Sequence, residues 1–276
     1  MSTTGVDPST ATEKPSAITG RSPLSRRGVR VAIGAALPVV LIALWFLLTL
    51  PGAELIPSYK LPSPQSVWEA AVTLADRGEL WQFTAISVQR VLIGFAVGAT
   101  LGVTIGGVVG LSRFWDLGLS PTLGIIRAVP SLAWVPLLIV WFSIGEESKI
   151  ILIAIGAFFP VFTTVSVALR HVDPHLVELG RSYGFGGVRL FFTVQLPAVL
   201  PSLFAGLRLA LVQAWLFLVA AELIAASMGL GFLLTRGQSN GRVDQIVLAI
   251  ILLAVLGKIT DSILALVDRW AVRRWG

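Results

Sequence analysis

The sequence predicts an all-α polytopic membrane protein with six transmembrane helices and both termini in the cytoplasm. Three observations carry that prediction: a shortage of charge, a succession of uncharged stretches of membrane-spanning length, and the placing of Lys and Arg between them. Only 13% of the 276 residues are charged and 55% are hydrophobic, where a soluble domain carries roughly 25% charged residues. The net charge of +6 does not point to nucleic acid, because the basic residues sit between apolar runs, as orientation in a membrane requires. No nucleic-acid partner is expected. The chain has no cysteine and only two histidines, His171 and His175, which excludes disulfides, thiolate catalysis and metal–thiolate centres. It is a poor inventory for an enzyme.

Residues 1–30 are rich in Ser, Thr, Pro and Gly and end in Arg21, Arg26, Arg27 and Arg30. They read as a disordered basic cytoplasmic tail. Residues 31–276 form the transmembrane domain. Its first span is Val31–Leu50, 20 residues without a charge, too long for the apolar region of a signal peptide and without a small-residue cleavage site after it. The stretch from Pro51 to Phe83 lies outside, with a short surface helix starting near Pro64 and with Trp68 and Trp81 as interfacial anchors. The second span is Val91–Ser112, the third Leu117–Gly145 interrupted by Arg127, and the fourth Ile150–Leu169. Leu209–Ala221 and Gln245–Val267 complete the set, and a core over 84–268 results.

One more apolar stretch, Leu190–Leu207, contains Pro197 and Pro201 and would make seven spans. Charge decides against it. With six spans the inner segments hold 12 Lys and Arg and the outer segments 5, the asymmetry of a chain with both ends inside.

Within the spans, Gly94, Gly98, Gly102, Gly106 and Gly110 recur every four residues, a stripe that lets two helix backbones approach closely. It serves either tight static packing or a surface that slides, and either use implies a helix buried in protein. Intramembrane charges cost several kcal/mol unless paired or solvated. Lys258 and Asp261, three apart, are expected to pair with each other; Arg90 and Arg208, near span ends, are expected to snorkel. Arg127 precedes Val129-Pro130, where the proline kinks the helix. With Arg127, a kinked third span lines a polar path for an anion, or the arginine forms an internal ion pair or an interfacial anchor. Arg127, Pro130, Ser131, Gln213 and Glu222 are the candidates for such a path.

The inner loop 170–201 has its own local structure. Asp173 suits an N-cap, Pro174 the first helical position and Gly184 a helix terminator. A helix from about Pro174 to Tyr183 follows, then a turn over Gly184–Gly187 and a second helical piece leading to Leu196-Pro197. Pro174 separates His171 from His175, so the pair reads as solvated loop residues, not as metal ligands. A helix this short does not stand alone; its basic and aromatic side chains suit a protein partner. No nucleotide-binding loop of the G-x-x-x-x-G-K-S/T kind is present, so any ATP is hydrolysed by another subunit.

Glu178-Leu179-Gly180-Arg181-Ser182-Tyr183-Gly184, followed after nine residues by Val194-Gln195-Leu196-Pro197, resembles the "EAA" signature of ABC importer permeases. Leu179 and Gly180 replace its two alanines and Val194 its isoleucine. The runs Arg127–Ile150 and Ala221–Leu234 are similar to the branch that imports sulfonates, taurine, nitrate, bicarbonate and pyrimidine precursors. Ser143 stands where that branch usually has glycine, a departure read as slight. The similarity begins near Pro62.

The resemblance implies a type I ABC importer permease fold in a bacterial inner membrane, with no catalysis of its own. It implies two cytoplasmic ATP-hydrolysing subunits per transporter and a substrate-binding protein outside that does most of the selecting. It also implies pairing of the permease with a second copy or a paralogue, within membrane lipid. Glu178, Leu179, Gly180, Arg181, Tyr183, Gly184, Leu196 and Pro197 would form the loop that couples to the ATPase. The solute expected is a small anion, foremost an aliphatic sulfonate. An ion-coupled secondary transporter is the alternative of another class; it would need carboxylates on the path, and only Glu222 and Asp261 are available.

Overall fold

The computed structural model describes residues 27–50 and 56–275; the predicted tail up to residue 26 and residues 51–55 of the outer stretch lie outside the described residues. Every regular element among the described residues is helical. Four helices are long and apolar enough to cross a membrane, and a bent pair makes a fifth. Helix α1 (Arg27–Leu48), with its apolar Ala36–Leu48 part, is the remaining candidate span.

Helix α2 (Pro64–Asp76) starts where expected, with Ser63 as N-cap accepting from the Ser66 amide. Its Val67, Ala70 and Leu74 are buried against Leu230, Leu233, Leu248 and Ala249, while Trp68 on its far side is exposed. The element is thus part of the packed body, not a linker lying beside it.

The centre of the fold is α3 (Glu79–Leu111) against α6 (Glu146–Arg170). All five stripe glycines face α6. A Cβ at Gly94 would stand 2.6 Å from the Ile153 Cβ, one at Gly102 2.8 Å from that of Val161 and one at Gly110 2.8 Å from that of Leu169; at Gly98 it would run into the Ala154 carbonyl. The seam is close-packed within one chain, backbone against side chain, as small residues permit.

The third predicted span is not one helix. It breaks into α4 (Arg113–Ala128), a 3-10 turn over Ser131–Trp134 and α5 (Val135–Phe142), bent by 86°. Pro130 is the cause: it offers no N–H to the ladder and drives Val129 to extended backbone (ψ 125°). Conversely, two predicted pieces join. After α7 (Pro174–Ser182) and α8 (Gly187–Leu190), a π turn over Phe191–Gln195 feeds into α9 (Leu196–Ala225), giving one apolar helical run over Gly187–Ala225. The Leu196 amide donates to the Phe191 carbonyl, five residues back. The widened turn carries the ladder past Pro197, which has no donor to place in it. Helices α10 (Leu230–Ser239) and α11 (Val243–Trp275) complete the body.

Candidate functional sites

The inner loop folds as its residues dictate. Asp173 caps α7 by accepting from the His175 amide at 2.9 Å. At the other end the Phe185 amide donates to the Gly180 carbonyl at 3.0 Å and the Gly184 amide to the Arg181 carbonyl at 2.8 Å. Gly184 has φ +77°, the left-handed residue of a Schellman cap, for which glycine carries no side-chain penalty. Gly180 is a second requirement. It is buried, and a Cβ there would lie 2.6 Å from Leu190 Cδ1 and 3.0 Å from Val194 Cγ2, so the departure from alanine matches the room available. The Arg189 guanidinium lies over the Phe185 ring at 4.5 Å and steadies the turn. Glu178 and Arg181 are exposed, Leu196 and Pro197 half-buried. Leu176, Leu179, Tyr183, Val188 and Phe192 are all exposed on this one loop, an apolar surface beyond the scattered norm and of the kind that marks a protein interface.

A second feature is a cavity of ≈ 470 Å³, with Arg127, Ser131, Phe159, Thr163, Gln213 and Phe217 among its walls. Three of the five residues proposed for a path therefore meet here: Arg127 from the end of α4, Ser131 from the turn after Pro130, and Gln213 from α9. Pro130 makes the bend that brings Ser131 in. The Arg127 guanidinium donates to Thr163 Oγ1 at 3.1 Å.

Glu222 is elsewhere, and so is not a wall of this cavity. Its carboxylate is fully buried and accepts from Arg90 Nη1 at 2.6 Å, Ser87 Oγ at 2.8 Å and the Gly231 amide at 2.7 Å. Arg90 also grips Glu146 through Nε and Nη2, both at 2.6 Å, and the Met228 carbonyl at 2.7 Å. Lys149 adds an ion pair to Glu146 at 2.9 Å. Arg90 therefore does not snorkel. It shares the buried face of α3 with Ser87 and the glycines, and that shared helical phase was the sequence signal for its inward direction. Gly229 (φ +120°) packs against the Glu222 carboxylate. The cluster ties the α9–α10 elbow to α3 and α6.

The expected Lys258–Asp261 ion pair forms at 3.7 Å, but it is not the closest contact of that carboxylate. Asp261 accepts from Arg208 Nε at 2.9 Å and Nη2 at 3.1 Å, leaving Lys258 at 3.7 Å. Arg208, on α9, reaches across to α11, and the bidentate fork outcompetes a single ammonium on the same helix. Among the described residues no cluster of three or more His, Asp or Glu is arranged to hold a metal.

A polytopic helical body, an exposed apolar loop and a mostly apolar cavity carrying one cation suit a transport permease. Comparison with known proteins specifies the family. The model for the binding-protein-dependent transport system inner membrane component matches residues 98–273, and the chain belongs to that family, a non-catalytic, multi-pass subunit of ABC importers in the cytoplasmic membrane that works with ATPase and substrate-binding partners. It is 43% identical to the aliphatic sulfonates transport permease protein SsuC of Escherichia coli over 86% of this chain and 89% of that one. Identity to the taurine transport system permease protein TauC of the same organism is 36% over 86% of each. In fold it is similar to a chain of the inward-facing MetNI methionine ABC transporter, with a TM-score of 0.56, 21% identity and coverage of 74% of this chain and 98% of that one.

Proposed function

We propose that this permease carries a small organic anion, an aliphatic sulfonate, and that its Glu178–Pro197 loop receives the stroke of the ATPase. The observation that carries the solute is the similarity to SsuC over most of both chains, joined to a cavity whose one charge is the cation Arg127. Taurine is the second reading, supported by TauC; bicarbonate, nitrate and pyrimidine precursors stand further off. Arg127, Ser131 and Gln213 line the path in this reading.

The coupling role rests on the loop's geometry. Helix α7 is held at Gly180 against Leu190 and Val194, at the foot of the run that continues into α9. Movement of the exposed Glu178 face therefore passes to a membrane-crossing helix as rigid-body motion. One chain carries one such loop, so a transporter with two ATPases requires two permease chains, two copies of this one or a paralogous pair, each docking one ATPase subunit. Glu178→Ala is expected to abolish sulfonate-dependent growth and solute-stimulated ATP hydrolysis while the protein still accumulates in the membrane. Unchanged uptake by that variant would sink the coupling assignment, and uptake that persists with the partner ATPase disabled would sink the importer reading itself.

A further inference from the structure

We infer that the Arg127 cavity is a substrate-binding site in its own right, selecting organic anions with a short apolar tail over inorganic anions, so that the membrane subunit makes a selection of its own. The inference rests on the importer reading above and deepens it.

Arg127 is the point of departure. The other arginines that face the helical body each have a carboxylate: Arg90 with Glu146 and Glu222, Arg170 with Asp116, Arg208 with Asp261, Arg236 with Glu79. Arg127 has only the neutral hydroxyl of Thr163, and no carboxylate within ion-pair distance among the described residues. Its place along the chain makes this costly. It follows Arg113, where α4 begins, by 14 residues, about 21 Å of helix, so with α4 crossing the membrane its backbone lies inside a bilayer core about 30 Å thick, although its side chain is exposed on the surface of the single chain. A charge kept at that depth without a partner marks a functional position. The missing counter-charge is one that arrives and leaves.

The remaining polar groups fit an acceptor-only ligand. Thr163 Oγ1 donates to the Phe159 carbonyl at 2.8 Å, so its proton is committed and it can only orient the guanidinium. The Ser131 hydroxyl and the Gln213 amide make no hydrogen bond among the described residues and are free to donate. With the uncommitted N–H groups of Arg127 they supply donors from three separate elements. A sulfonate head has three oxygens and no proton, which is the matching requirement.

Thr164 also lines the wall, its hydroxyl committed to the Pro160 carbonyl at 2.8 Å; the large side chains of the rest are apolar: Ile155, Phe159, Leu209, Leu216 and Phe217. Inorganic sulfate would meet the same donors but leave these surfaces against water. A short alkyl chain covers them, and each buried methylene contributes about 0.8 kcal/mol. At ≈ 470 Å³ the cavity lies within the size range of small-molecule sites.

The test uses the full-length protein in lipid nanodiscs, titrated calorimetrically with butane-1-sulfonate, methanesulfonate and sodium sulfate. Butane-1-sulfonate is expected to bind at least about tenfold tighter than methanesulfonate, with sulfate weakest. Arg127→Gln is expected to weaken all sulfonate binding by about tenfold or more, and Leu216→Asn to erase the preference for the longer chain. Should Arg127→Gln fail to fold, Gln213→Leu reads the same site from another helix, with a smaller loss expected. Equal affinity for all three anions, no binding of any, or unchanged binding by both Arg127→Gln and Gln213→Leu overturns the inference. The assay contains neither ATPase nor binding protein, so such a failure leaves the importer reading standing. Loss of that reading, by ATPase-independent uptake, would leave the binding result intact.

Discussion

Ser143 stands between α5 and α6 with φ +60° and ψ −174°, a region that only glycine enters freely. It is the one non-glycine residue with positive φ among the described residues, at the position where the sulfonate and taurine branch usually has glycine. The departure is therefore not slight, since such a residue costs about 1–3 kcal/mol of strain. Ser143→Gly is expected to raise the thermal midpoint of the purified protein in detergent; a lower midpoint would show that the Ser143 side chain holds the elbow together. Glu222 presents the opposite case, a single residue that the fold cannot spare. Removing one member of a buried ion pair costs about 3–5 kcal/mol, and with glutamine here Arg90, Ser87 and the Gly231 amide would face one neutral oxygen and an N–H donor in place of two charged oxygens. Glu222→Gln should unfold well below wild type, whereas Glu146→Gln should shift the midpoint less, because its carboxylate side chain is 58% exposed. Equal shifts would refute the assignment of Glu222 as the keystone of the cluster.

At the scale of elements, the α3–α6 seam and the α7 cap are both built on glycine, for different reasons. In the seam the need is space: at Gly102 the Val161 side chain and the Phe158 carbonyl occupy the position of a Cβ. Gly102→Leu is expected to destabilise by the 1–3 kcal/mol typical of overpacking, or more, since backbone as well as side chain must move. In the cap the need is conformation, since nothing lies within 4 Å of a Cβ at Gly184 while φ is +77°. Gly184→Ala therefore costs about 1–2 kcal/mol of local strain and leaves the membrane helices unaltered. Its expected signature is faster proteolysis of the loop and weaker coupling, with an unchanged global melt. A global melt that fell with the loop would show that the cap supports the whole body.

On the scale of the whole molecule, orientation follows from where the cations are. Arg170, Arg181 and Arg189 flank or lie in the 170–201 loop, and Arg269, Arg273 and Arg274 lie near Gly276; on that distribution we propose that loop and Gly276 share the cytoplasmic side. A reporter fused after Gly276 that is active only in the cytoplasm is the expected result; activity outside the cell would invert the topology and remove the loop from any ATPase.

Hydropathy and short-range capping were enough for the class, for most of the long apolar helices and for the bounds of α7, because each depends on neighbours in the chain. Ser63, Asp173 and Gly184 act over five residues or fewer, and spans are recognised by their own composition. Tertiary structure alone decided who pairs with whom. Arg90 with Glu222, 132 residues apart, and Arg208 with Asp261, 53 apart, are contacts no local pattern encodes; the first displaced the expectation of snorkelling, and the second added a closer partner to the expected i,i+3 pair. The same holds for the cavity. Arg127, Thr163 and Gln213 come from three helices, and Ser131 joins them where the chain turns by 86° at Pro130. The kink was legible in the sequence, but its direction depends on packing against α6 and α9. What the sequence by itself determined is a membrane permease of the ABC importer class, because composition and short-range pattern are local properties; the fold decided that Arg90 and Glu222 are paired inside the body and that Arg127 has no carboxylate partner among the described residues, because those partners come from distant helices.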